Sequence, residues 1–186
     1  MNPKLAIVTG NPLKFREISA ALDGYFICEQ KKLEGYNEIQ GEPEDILRHK
    51  LLASYEQFQV PVLVDDTAVY LSALNGFPGP YIKDFWKCFD PYSMGMKFAG
   101  SRIKITCSMG IMYSPTEVTI VEGTVEGDII EPKTKDDKGT EFDLFTQVDG
   151  TDRPMIECTV EEKNKFSHRG LAIKNLIAEL ENKNHG

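Results

Sequence analysis

The segment Leu5-Ala-Ile-Val-Thr-Gly-Asn-Pro-Leu-Lys-Phe-Arg-Glu17 constrains the fold most, because its structural period changes at Thr-Gly-Asn. The branched apolar run from Leu5 to Val8 has the length of a buried strand, while Phe15, Ile18 and Leu22 recur at the spacing of one helix face. Gly10 and Asn11 supply the turn between them, and Asn11 is a residue type that caps a helix. Backbone N–H groups and the positive end of the helix dipole lie above such a turn, and Lys14 adds a full charge one turn in. An anion is the natural occupant. No G-x-x-x-x-G-K-[ST] loop or G-x-G-x-x-G fingerprint is present, so on these residues alone a plain capped first helix stays equally open.

The following segments repeat the pattern. Tyr25 to Lys31 reads as a strand, and Pro43 opens a helix whose stripe is Leu47, Leu51, Tyr55 and Phe58, with Lys50 near its edge. A third strand, Val60-Pro-Val-Leu-Val64, leads into Asp65-Asp66-Thr67, which places two carboxylates at a strand's C-terminal end. After the turn-rich Asn75-Gly-Phe-Pro-Gly-Pro80, a short helix carrying Lys83 is expected over Tyr81 to Phe89. Ile103, Ile105, Cys107, Met109 and Ile111 then alternate, and Ser114-Pro115-Thr116 turns the chain into Val118 to Val121. That is a β-hairpin with one buried face. Residues 131–141 form a polar loop, and Ser167 caps a last helix that packs through Ile173, Leu176, Ile177 and Leu180, ending in a frayed tail at Gly186. Alternating strands and helices followed by a meander imply an α/β fold with a mixed sheet.

Composition narrows the function. The 186 residues, 41% of them hydrophobic, can bury a core as one domain or as two lobes sharing one sheet. A net charge of -8 without a Lys/Arg-rich block argues against binding polymeric nucleic acid, but permits a small anion in a local basic pocket. Cys28, Cys88, Cys107 and Cys158 are scattered without a C-x-x-C pair, and no signal-peptide core precedes Leu5, so reduced thiols and a cytoplasmic location are expected. No apolar run reaches the ~20 residues of a membrane span.

Ligands of open α/β sheets bind beyond the carboxyl ends of the strands, so Thr9 to Lys14 and Asp65-Asp66-Thr67 should share one site. Magnesium is usually held by one or two carboxylates together with the substrate's own phosphates, and Glu38, Asp65 and Asp66 can supply such carboxylates. Lys163-Asn-Lys-Phe-Ser-His-Arg169 sets polar donors before a helix and offers a second anion cradle. Each piece has a bland reading too: a solvated strand end, a loop glutamate, a surface lysine, a structural histidine.

The segments Thr9-Gly-Asn-Pro-Leu-Lys14-Phe-Arg-Glu17, Gln40-Gly-Glu-Pro43, Val64-Asp-Asp-Thr67, Ala73-Leu-Asn-Gly-Phe-Pro-Gly-Pro-Tyr-Ile-Lys83 and Glu162-Lys-Asn-Lys-Phe-Ser-His-Arg169 follow in this order and are spread over nearly the whole length of the chain. The chain resembles the inosine triphosphate pyrophosphatase family, which hydrolyses non-standard purine nucleoside triphosphates to monophosphate and pyrophosphate. The resemblance implies one domain over residues 1–186. Its fold would be an elongated mixed sheet with flanking helices and two lobes around a central cleft. It further implies a homodimer that uses Mg²⁺, with Mn²⁺ as the alternative. Thr9, Gly10, Asn11 and Lys14 would cradle the triphosphate, with Thr67, Lys50, Lys83 and Lys163 assisting. Glu38 and Asp66 match the metal-binding positions, Asp66 also the general base, with Asp65 supporting it; Ser167, His168 and Arg169 would meet the base and the phosphates.

The family's Phe-Gly-Trp/Tyr-Asp-Pro motif is altered. Gly139-Thr-Glu-Phe-Asp-Leu-Phe145 aligns Phe142 and Asp143 with the family's second aromatic and its aspartate, but Thr140 replaces the stacking ring and Glu141 the glycine. Loss of a base–aromatic stack is worth ~1–3 kcal/mol, enough to redirect base selection. Two further readings follow: a pyrophosphatase for a pyrimidine or modified base, and a catalytically weak module that binds nucleotide or a protein partner.

Overall fold

β1 (Lys4–Val8) and α1 (Pro12–Ala21) form where the change of period places them, with Ile18 and Leu22 buried and Phe15 half-buried. The computed structural model describes residues 2–135 and 141–184, without the side chains of Glu141 and Asn184. Thr140 and Gly186, on which two expectations fell, lie outside the described residues. β2 (Ile27–Lys31) starts two residues later than expected, because the chain turns through Gly24 at φ 89°. α2 (Pro43–Phe58) opens at Pro43 as expected and buries Ile46, Leu47, Leu51 and Ser54.

β3 (Val62–Leu71) corrects the reading of its neighbourhood. The strand does not stop at Val64 but carries Asp65, Asp66 and Thr67 within it, because Ala68, Val69 and Leu71 continue its buried positions. β4 (Pro78–Gly79) pairs antiparallel with this second half through Val69↔Gly79 and Tyr70↔Pro78. The expected helix over Tyr81 to Phe89 shrinks to α3 (Ile82–Phe85). It is followed by the unforeseen α4 (Pro91–Phe98), which Asp90 caps by accepting the Ser93 N–H at 2.9 Å.

β5 (Arg102–Ser114) and β6 (Glu117–Ile129) form the hairpin, each longer than the alternation alone suggested. Only the start of β5 has a single buried face; from Ile105 to Met112 every residue is buried. Small residues explain this. A Cβ on Gly110 would lie 2.7 Å from Leu51 Cδ1, so α2 packs directly against the strand there. β7 (Thr146–Val148) pairs antiparallel with β6, and α5 (Val160–Phe166) and α6 (His168–Asn184) complete the order.

The strands make one mixed sheet in the order β2-β1-β3-β5-β6-β7, with β4 joined to β3. β1 runs parallel to both neighbours, in register Lys4↔Ile27 with β2 and Ala6↔Val62 with β3. The chain divides into two compact units: Met1–Asp66 with Ser108–Glu122 and Ala172–Gly186, and Thr67–Cys107 with Gly123–Leu171. The first has a core of Ala6, Val8, Leu47, Leu51, Val62, Val64 and Met112. The second is more aromatic, built around Val69, Phe85, Met94, Ile105, Phe142 and Phe145. Among the described residues no helix is long and apolar enough to cross a membrane.

Candidate active site

In the first unit the turn after β1 is held by its own side chains. Thr9 Oγ1 accepts the Asn11 N–H at 3.1 Å, and Asn11 Oδ1 accepts those of Leu13 and Lys14 at 2.9 and 3.3 Å. Asn11 thus caps α1 as the sequence predicts. The cap also engages N–H groups that an anion would use, so the attraction of this end rests chiefly on the Lys14 ammonium and the dipole.

Lys14 Nζ donates to Asp65 Oδ2 at 2.8 Å. The carboxylate is 3% exposed and the lysine side chain 22%, so the pair is largely out of water. A buried carboxylate needs such a partner. The sequence reading missed the pairing and assigned Asp65 to Asp66 instead. Consecutive strand residues project to opposite sides, so inside β3 the two aspartates serve different neighbours.

Asp66 acts with Glu38 on Tyr36. Burial pushes the Tyr36 phenol up to about 12, and the negative charges of Glu38 and then Asp66 reinforce the shift. The two carboxylates come from different elements, Glu38 from the 32–42 loop and Asp66 from β3. Tyr36 Oη also lies 3.2 Å from His49 Nδ1 on α2, one residue before Lys50. Tyr36 and His49 were not singled out in the sequence; the only hint was the Gly35-Tyr36 turn two residues before Glu38. Among the described residues no three His, Cys, Asp or Glu side chains gather into a metal cage. A pair of oxygen donors still fits Mg²⁺, which completes its shell with water and substrate phosphates.

The second unit gathers the other candidates. Lys163 lies in α5, not in a loop before a helix as expected, and donates to Asp143 Oδ2 at 2.9 Å. Asp143 is 3% exposed in this pair, so it holds Lys163 as Asp65 holds Lys14. Ser167 separates α5 from α6 and accepts the Gly170 N–H at 3.1 Å, the expected cap. Gly170 admits nothing larger, because a Cβ there would collide with the Asn164 carbonyl oxygen. His168 and Arg169 are buried at the start of α6, and the Phe142 ring meets His168 edge-on, with centroids 5.3 Å apart and planes at 68°. Thr67 Oγ1 is buried with no hydrogen-bond partner among the described residues, and Lys83 is exposed on α3.

The chain is similar to known proteins over most of its length. Two inosine triphosphate pyrophosphatases are among the similar proteins: number 2 of Trypanosoma cruzi (strain CL Brener), 36% identical over 95% of this chain and 92% of its own, and that of Pyricularia oryzae (strain 70-15), 33% identical over 92% and 90%. Of solved structures, a HAM1 protein from Coxiella burnetii superposes with a TM-score of 0.82 at 22% identity, covering 97% of this chain and 99% of that one. The Staphylococcus aureus Ham1 protein follows at a TM-score of 0.74, also at 22% identity with 97% and 99% covered. Both likenesses confirm the mixed sheet with flanking helices. The Ham1 family model matches residues 5–179, which takes in both units and every candidate residue named above, and the chain belongs to that family.

Proposed function

We propose that this protein is a Mg²⁺-dependent nucleoside triphosphate pyrophosphatase that converts non-standard purine nucleotides, ITP, dITP and XTP, to monophosphate and pyrophosphate. The observation that carries the reading is the largely buried Lys14–Asp65 pair at the Asn11-capped start of α1, in the unit that also holds Glu38 and Asp66. That its relatives are inosine triphosphate pyrophosphatases supports ITP as a substrate. Glu38 and Asp66 would hold the cation, which supplies charge neutralisation on the phosphoryl oxygens. Thr9, Gly10, Asn11, Lys14 and Lys50 bind the phosphates in this assignment, with Thr67 and Lys83 assisting. Lys163 adds charge at the phosphates in the same assignment, while Phe142 and Asp143 meet the base, and Ser167, His168 and Arg169 meet both the base and the phosphates.

Asp66 takes a proton from water as its oxygen attacks the α-phosphorus in line, and pyrophosphate leaves. The Lys14 ammonium, held by Asp65, meets the charge that develops on the phosphoryl oxygens. No covalent intermediate is required. The four free cysteines suit a reducing cytoplasm, and a homodimer is the assembly the family resemblance implies.

A nucleotide panel with Mg²⁺, read by pyrophosphate release, tests the assignment. Turnover of ITP and XTP, lost in EDTA and restored by Mg²⁺ or Mn²⁺, is expected; inactivity on every nucleotide contradicts it. Asp66→Asn should lower turnover at least ~100-fold while far-UV circular dichroism stays unchanged. One observation favours a second reading with the same reaction and another base. Phe142 is 5% exposed and spent on packing His168, so the family's second aromatic is not an open stacking surface. Preference for a pyrimidine or modified base in the same panel would replace the purine assignment.

A further inference from the structure

Glu38 is an exposed side chain on a loop without regular structure, between β2 and α2. Such a residue binds a cation well only if its loop is already fixed, because ordering the loop on binding costs backbone entropy. Three contacts fasten this loop. Leu33 packs on the first unit's core, and the Glu34 N–H donates to Gln57 Oε1 at 3.3 Å. The chain then turns at Gly35 with φ 65°, a left-handed conformation that suits glycine, and brings Tyr36 to His49.

The third contact lies nearest Glu38 in sequence. Tyr36 Oη and His49 Nδ1 are 3.2 Å apart, with ring centroids separated by 5.6 Å and planes tilted by 38°. Both partners adjoin candidate groups: Tyr36 precedes Glu38 by two residues, and His49 precedes Lys50 by one. Tyr36 is half-buried, whereas His49 and Glu38 are exposed, so the phenol is the anchored part of the contact.

We propose that Tyr36 and His49 are positioning residues for the divalent cation: their contact latches the 32–42 loop to α2 and thereby holds Glu38 in place for the ion. This rests on the assignment of Glu38 and Asp66 as the cation's ligands. Groups that orient a ligand typically change metal affinity by about 10–100-fold when removed. Since one contact joins the two residues, removing both should cost no more than removing either.

Binding of Mn²⁺ alone to the nucleotide-free protein, measured by electron paramagnetic resonance, tests the latch without relying on turnover. Tyr36→Phe and His49→Ala should each weaken Mn²⁺ binding about tenfold, and the double variant by the same factor. His49→Gln, whose amide can still hydrogen-bond the phenol, should recover most of the loss. If Tyr36→Phe and His49→Ala bind Mn²⁺ like the parent while Glu38→Gln loses it, the latch is overturned and the ligand assignment stands. If Glu38→Gln also binds like the parent, the ligand assignment falls and the latch with it. Single losses that add in the double variant would also overturn the latch. Should Tyr36→Phe fail to fold, His49→Ala decides by itself, because its side chain is exposed.

Discussion

Asp65 and Asp66 are neighbours in sequence with different work. Asp65 is buried and paired with Lys14, while Asp66, the next residue of β3, projects to the other side of the strand. Asp65→Asn should therefore act through Lys14, lowering kcat by about 10²-fold, the scale of losing one aligned stabilising donor. Steady-state kinetics would check this, and an unchanged kcat would return Asp65 to a structural role. Lys14 was legible in the sequence because the turn after β1 and the Asn11 cap mark the start of α1, whereas Asp65 and Asp66 lie inside β3 and not at the strand end that was expected. The pairing of lysines with carboxylates was not legible, since Lys14 with Asp65 and Lys163 with Asp143 join distant segments. Tyr36 was illegible for a similar reason: an aromatic in a polar loop gains meaning only from the His49 it meets on α2.

Elements were readable where one signal dominated. β1, α1 and α2 follow from periodicity and a cap or proline. α4 and α5 were also marked, by Asp90-Pro91 and by Thr159-x-x-Glu162, yet the segments are too short for periodicity to stand out. The α5 box is complete, with the Glu162 N–H on Thr159 Oγ1 at 3.2 Å and the Thr159 N–H on Glu162 Oε2 at 2.8 Å. Thr159→Ala should cost ~1 kcal/mol in urea denaturation, and because α5 carries Lys163 it should also raise KM for nucleotide. β7 spans only three residues and was invisible to alternation. Its partner strand is intolerant at Gly127, where a Cβ would strike the Gln147 carbonyl oxygen and lie 2.9 Å from Val148 Cα. Gly127→Ala should destabilise by about 1–3 kcal/mol in the same assay, as backbone cannot yield as a side chain does.

Across the whole molecule, acid should weaken the fold. Arg102 donates to both oxygens of Asp149, at 2.7 and 2.6 Å, and these bonds hold that carboxyl below its ordinary range. The Thr159 backbone N–H does the same, first among several causes, for Glu162. A carboxyl whose folded pKa is depressed stabilises the fold above its unfolded pKa and loses that contribution as pH falls through the folded one. Stability should thus decline from about pH 5 to about pH 3, with a shallower decline in Asp149→Asn. Each exposed pair contributes modestly. A rise in stability over that interval, by urea denaturation, would contradict the account.

The mixed sheet was legible because its alternation of strand and helix precedes the hairpin. The reaction was legible only through five segments in family order, since no single one specifies a phosphorus atom. Attack at the α-phosphorus is the central claim, and hydrolysis of ITP in water labelled with heavy oxygen tests it most directly. The account predicts label in inosine monophosphate, with unlabelled pyrophosphate as the other product. Label in pyrophosphate, or in orthophosphate released beside inosine diphosphate, would contradict it.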